Sequence, residues 1–172
     1  GGTLSGFTGS GVNYTVVFTP ASNSTSAGII RVAAGQFTDA AGNTNLSSID
    51  LSIAVDTAKP TASLVPNPTS LKAGETSTVA ITLTEAATDF SVSDLPASGG
   101  TLGTFNGSGT QYSVVFTPSS NSTAAGNVSI AANTFTDAAG NANTVSNTAN
   151  ISVDTKRPTA TLSAAESALA AG

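Results

Sequence analysis

Along residues 78–84 apolar and polar side chains alternate. Val79, Ile81 and Leu83 fall on one face, and Thr78, Ala80, Thr82 and Thr84 on the other. Tyr112, Val114 and Phe116 alternate in the same way with Ser113, Val115 and Thr117. Val128 with Ile130, and Ile151 with Val153, make two further stripes, and Phe90 with Val92 a short fifth. Successive side chains of a strand point to opposite faces, so period two with threonine outside predicts half-buried antiparallel strands. Turn-forming clusters separate the stripes: Pro66-Asn67-Pro68, then residues 96–100, 106–109, 118–126 and 137–141. The expected core is Val79, Ile81, Leu83, Phe90, Tyr112, Val114, Phe116, Ile130 and Val153. Seven or so short strands in roughly 100 residues is the count of an Ig-like sandwich.

The pattern repeats. Gly1-Gly2-Thr3-Leu4 returns as Gly99-Gly100-Thr101-Leu102, and Val16-Val17-Phe18-Thr19-Pro20 as Val114-Val115-Phe116-Thr117-Pro118. Phe37-Thr38-Asp39-Ala40-Ala41-Gly42-Asn43 returns at 135–141, and Val55-Asp56-Thr57 as Val153-Asp154-Thr155. The offset is 98 throughout without a gap, and 42 of the 74 superimposable positions are identical. A fixed period of this length marks a tandem array. The frame is a C-terminal part of one repeat at 1–56, a complete repeat at 57–154 and the start of another at 155–172. Residues 1–56 lack the equivalent of 57–98. Their opening strands are expected either from a longer array or from a neighbouring chain. Residues 164–171 are alanine-rich, but they align with 66–73, whose prolines argue against a helix.

Composition narrows the function. There is no Cys and no His, which removes disulfides, thiol nucleophiles, imidazole bases and the usual zinc or copper ligands. Only 9% of residues are charged and the net charge is −5. With five basic residues, the chain is not expected to bind nucleic acid. No apolar run reaches membrane-spanning length and no segment reads as a signal peptide, so no membrane insertion is expected here.

Taken together, Asp56-Thr57-Ala58-Lys59-Pro60-Thr61, Leu83-Thr84-Glu85-Ala86, the stretch 90–95, Gly99-Gly100-Thr101-Leu102, Phe116-Thr117-Pro118 and the stretch 135–141 carry a resemblance. The chain resembles the bacterial Ig-like repeats of giant surface adhesins, especially those exported by type I secretion. The resemblance implies an all-β fold of tandem antiparallel Ig-like sandwiches, an extracellular or cell-surface location and a stalk that carries a binding tip outward. Related repeats bind Ca²⁺ at their linkers.

In such a sandwich, the loops after the second and sixth strands lie at the end where the chain enters. Those loops hold Glu85 and Asp89, then Asp137, Asn141 and Asn143; the preceding repeat ends at Asp56, with Lys59 the nearest cation. Oxygen donors gathered at one junction suit Ca²⁺, which takes six to eight of them. Asp39, Asn43 and Asp154 are the equivalents in neighbouring repeats. The plainer reading is that residues 137–141 form a turn in which Asp137 accepts backbone N–H groups and Gly140 is left-handed.

An enzyme is not expected. Glu85 and Asp137 could form a carboxylate pair, but Asp39/Asp137 and Asp56/Asp154 recur in register, as structural sites do. Lys72 could enter a Lys–Asn crosslink, yet its repeat partner is Ala170, which argues against a repeated one. The primary reading is therefore a stalk segment whose partners are neighbouring repeats, with Ca²⁺ at the junctions. One alternative is a filament segment that takes strands from other copies. Another is a glycan- or protein-binding module, against which stand the absence of Trp and the core-like positions of Tyr14 and Tyr112.

Overall fold

A computed structural model describes residues 1–163, and among them the chain is nearly all strand. The expectation for residues 164–171 lies outside the described residues. β1 (Gly2–Ser10) and β2 (Asn13–Pro20) form an antiparallel hairpin; β3 (Gly28–Ile30) and β4 (Leu51–Ile53) form a second antiparallel pair. There follow β5 (Ala62–Asn67), β6 (Ser70–Lys72), β7 (Ser77–Leu83), β8 (Ala97–Ser98), β9 (Gly100–Ser108), β10 (Gln111–Pro118), β11 (Gly126–Val128) and β12 (Ala149–Asp154). The chain divides into two compact units. One comprises Gly1–Ala62, Leu83–Phe90 and Ala132–Val145; the other comprises Ser63–Thr82, Ser91–Ala131 and the described residues from Ser146 to Ser163.

The second unit holds two four-stranded sheets, in the orders β5-β7-β10-β9 and β6-β12-β11-β8. Alternation in sequence becomes alternation in burial. Along β7, Ser77, Val79, Ile81 and Leu83 are buried and the intervening residues exposed; along β12, Ala149, Ile151 and Val153 are buried. Leu64, Leu71, Leu95, Val114, Phe116, Val128 and Ile130 complete this unit's buried apolar set. Phe116 of β10 is fully buried and its ring reaches β11 of the other sheet. A Cβ on Gly126 of β11 would run into the Phe116 ring of β10, and one on Gly100 of β9 would meet the same ring. Two glycines thus leave the space that the largest buried side chain fills. Phe18 is placed against Gly2 and Gly28 in the same way.

The expected all-β, Ig-like antiparallel sandwich is what the structure shows, with one added detail, and two finer expectations are corrected. The detail is that the short β6 runs parallel to β12, with Leu71 opposite Val153. A short turn at Pro68 and Thr69 carries the chain from β5 in the first sheet to β6 in the second. Phe90 and Val92 do not form a strand. Val92–Asp94 is a 3₁₀ turn, because the Asp94 carboxylate accepts the Ser91 backbone N–H (2.8 Å) and closes the chain locally. Tyr112 is only half-buried and stacks on Phe105, ring centroids 5.6 Å apart, rather than joining the core. Tyr14 is likewise exposed and stacks on Phe7 at 5.4 Å.

The Phe116 arrangement gives a graded test. Phe116→Ala is expected to cost about 3–5 kcal/mol through lost burial and a cavity. Gly126→Ala should cost about 1–3 kcal/mol by overpacking. Gly103→Ala should be nearly neutral, because its Cβ would make only ordinary contact, 3.7 Å from the Val115 carbonyl oxygen. Urea unfolding of the three variants checks the order; equal midpoints for Gly126→Ala and Gly103→Ala would contradict it.

A candidate metal centre at the linker

Asp137 stands at the start of the turn at 137–141 and is buried. Its Oδ1 accepts the backbone N–H groups of Ala139 and Asn141, each at 2.9 Å, and its Oδ2 accepts the Asn141 side-chain amide at 2.9 Å. Gly140 has φ +87°, a left-handed conformation that costs glycine little. Burial pushes the Asp137 carboxyl upward, but the hydrogen bonds from Asn141 and Ala139 outweigh it and hold the group below its ordinary value.

Glu85 is brought to this turn by backbone pairing. Ala87 bridges Asp137 in antiparallel fashion, and Thr88 N–H donates to the Thr136 carbonyl at 3.0 Å. Just before Glu85, Thr84 and Thr61 are tied reciprocally: Thr84 N–H donates to the Thr61 carbonyl (3.0 Å), and Thr61 N–H to Thr84 Oγ1 (2.9 Å). That second pair fixes the linker. Thr144 N–H donates to the carbonyl of the buried Pro60 at 2.9 Å, and the Asn141 amide to the Asp56 carbonyl at 3.2 Å. Asp56 is exposed and its Oδ1 accepts the Ala58 N–H at 3.2 Å.

The outcome is a triad. One carboxylate oxygen from each of Asp56, Glu85 and Asp137 lies within 4.8 Å of the other two. Burial, and then the neighbouring charges of Asp56 and Asp137, raise the Glu85 carboxyl above its ordinary value. Among the described residues none of the three forms an ion pair; Lys59, the expected nearby cation, makes no salt bridge to them. The donor set fits a hard cation. Calcium–oxygen bonds of about 2.3–2.6 Å put ligands on opposite sides of the ion roughly 5 Å apart, and carboxylates are its preferred donors. Three carboxylates offer at most six oxygens, so water would complete the shell.

The remaining expected ligands have other partners. Asp89 is exposed, and its Oδ1 accepts the Thr136 N–H at 2.8 Å. Asn143 is buried, and its Oδ1 accepts the N–H groups of Thr134 (2.8 Å) and Phe135 (3.0 Å) while its amide donates to the Thr144 carbonyl (2.8 Å). It braces the loop from within. Asn45 does the same for Gln36 and Phe37. Asn141 adjoins the triad only as a donor. Asp39 and Asn43 repeat the turn geometry of Asp137 and Asn141, with Asn43 hydrogen bonds, side chain first, lowering the Asp39 carboxyl. Asp154 Oδ1 accepts the Lys156 N–H, as Asp56 does that of Ala58. The sequence reading missed Thr57 and Thr155. Thr57 Oγ1 donates to the Ala21 carbonyl (2.6 Å) and accepts the Ser24 N–H (3.0 Å); Thr155 does the same with Ser119 (2.7 Å) and Ser122 (2.9 Å). The recurring Asp-Thr pair at each repeat end was the available signal.

Among the described residues no helix is long and apolar enough to cross a membrane. Comparison with curated proteins and with solved structures returned no match. The bacterial Ig-like domain family matches twice, over residues 1–55 and 56–153. Domains of that kind are structural and binding modules, typically not enzymes, in keeping with a chain without Cys or His. By two matches that together span most of its length, the chain belongs to the bacterial Ig-like domain family.

Proposed function

We propose that this chain is a stalk segment of a secreted or surface-anchored bacterial adhesin, and that Ca²⁺ held by Asp56, Glu85 and Asp137 stiffens the joint between consecutive repeats. The observation that carries the reading is the composition of the triad. Asp56 ends one repeat in sequence, Glu85 and Asp137 belong to the next, and all three meet at one short linker in a chain with only ten acids. Bound there, a divalent cation supplies positive charge that cancels the mutual repulsion of the carboxylates. The linker hydrogen bonds of Pro60, Thr61 and Asp56 set the backbone in place beforehand, so binding has little disorder to overcome. An ion bound only by this arrangement favours it by mass action.

Calorimetry should show calcium binding with a Kd of around 10⁻⁴–10⁻³ M, the range of extracellular modules. Small-angle scattering of a multi-repeat array should show a larger maximum dimension in calcium than in chelator. Glu85→Gln with Asp56→Asn, which spares the Asp137 turn, should remove the response and leave the sandwich folded. No heat of binding together with an unchanged dimension would sink the proposal.

The metal-free protein carries a second signature. A carboxyl raised in the folded state, as Glu85 is, disfavours folding once it ionises, and that penalty is relieved as pH falls toward its ordinary value of 4.5. In chelator at neutral pH, Glu85→Gln should therefore raise the Tm by about 1–4 °C, and the gain should vanish below about pH 4.5. Asp137 has the opposite sign: its contribution is present above 3.8 and is lost as pH falls through its lowered value. Thermal melts across pH decide both; a Glu85→Gln gain that persists in acid would show that charge is not its cause.

A further inference from the structure

We infer that the repeat at 57–154 is built to resist tension along the chain, because the segment that leaves it, residues 147–154, holds both strands that enter it, β5 and β6. The inference rests on the stalk reading for the source of that tension. Connectivity carries it. The sequence continues on both sides of the repeat. A pull along the chain therefore reaches β5 and then β6 from their N-terminal ends, and β12 from its C-terminal end. β6 and β12 run parallel, with Ser70, Leu71 and Lys72 opposite Ser152, Val153 and Asp154. Two parallel strands drawn from opposite ends slide along each other. The evenly spaced bonds of a parallel pair then carry the force together and must give way together. Antiparallel first and last strands would be drawn from the same end and would open one bond at a time.

Contacts around the pair strengthen it. Ser152 N–H donates to the carbonyl of Thr69, just ahead of β6, at 2.8 Å. Leu71 and Val153 are both buried, so water has little access to the bonds between them. Asn147, which shortly precedes β12, holds β5. Its Oδ1 accepts the Leu64 N–H at 2.8 Å, and its amide donates to the Leu64 carbonyl at 2.8 Å. The N–H and C=O of one strand residue point to the same side. These two bonds therefore lie on the edge of β5 that faces away from β7, its neighbour in the sheet. β5 is held on one edge by β7 and on the other by a side chain of the leaving segment. A threonine fastens each end as well. Thr61 N–H donates to Thr84 Oγ1 ahead of β5, and Thr155 Oγ1 is bonded to Ser119 and Ser122 beyond β12.

The chain has no Cys, so introduced thiols can set the direction of a pull. In one form of the full chain, Lys59→Cys and Lys156→Cys carry the handles of a single-molecule force measurement; both positions are exposed. That form shears β6 against β12. In the other form, Ala73→Cys replaces Lys59→Cys. Ala73 is exposed and follows β6 directly, so both handles sit at one end of the pair and peel it open from there. Forced unfolding is governed by the unfolding rate, and at one pulling speed in chelator the first form should unfold at a force at least about twice that of the second. Asn147→Ala should lower the force in the first form and leave the second unchanged, because β5 lies outside the second path. Equal forces in the two directions would overturn the inference, as would an Asn147→Ala loss of the same proportion in both. The comparison of directions needs no Asn147 variant, so it decides the matter even if that variant does not fold. Chelator keeps calcium out of the measurement, so a missing calcium response would count against the proposed joint and leave these forces as they are.

Discussion

The structure depends on placing one buried carboxylate, Asp137, where it is fully hydrogen-bonded. A charge removed from water without partners would neutralise or unfold its surroundings. Asp137 avoids this by accepting three N–H donors from residues 139–141, one on its second oxygen. Those bonds set the turn, and the turn presents Asn141 to the linker at Asp56. The bridge to Ala87 then draws in the loop that carries Glu85. A single satisfied buried anion thus organises two loops and a linker, and leaves the outward side of its carboxylate beside two more acids.

The body of the repeat rests on a different constraint. Two sheets rich in valine, isoleucine and threonine need little aromatic volume, and one phenylalanine in β10 fills the place where they meet. Glycine on both sides of the Phe116 ring makes this possible. Recurrence of the set as Phe18 with Gly2 and Gly28 suggests a packing unit copied with the repeat. Low aromatic content is therefore compatible with a dense core, because the large residue is met by positions that have no side chain.

Much of the fold was legible because burial in a sheet follows residue alternation directly. β7, β10 and β12 read off their stripes, and eight of the nine expected core residues are buried. β9 was not legible. Its sequence, Gly100–Ser108, is dominated by Gly, Thr, Asn and Ser, and its strand character comes from pairing with β10 rather than from its own composition. Tyr112 misled because aromatic residues also stack on the outer face of a hairpin. At the site, Asp56, Glu85 and Asp137 were legible as acids whose loops share one end of the sandwich. Asp89 and Asn143 were not separable from them, because the sequence does not say which backbone N–H groups a carboxylate or carboxamide will meet. The role of Thr57 was hidden for the same reason: its partners, Ala21 and Ser24, are 36 and 33 residues away.

The two copies of the turn help to separate structural from ionic roles. Asp39 and Asn43 reproduce the bonds of Asp137 and Asn141 almost distance for distance, at 2.9 Å to the same three donors. The counterparts of Glu85 and Asp56 at the 98-residue offset would precede Gly1, so the Asp39 turn keeps these bonds here without them. Turn formation accordingly requires only the aspartate, the asparagine and the left-handed glycine. It explains why Asp137 is an acid and why it is held ionised. It does not explain why Glu85, raised by burial and by its neighbours, or Asp56, on the linker, should also be acids at that point. Three like charges within reach of a common point act against the folded state unless a cation joins them. That excess of charge, over and above what the turn needs, is the physical argument for an ion at the linker.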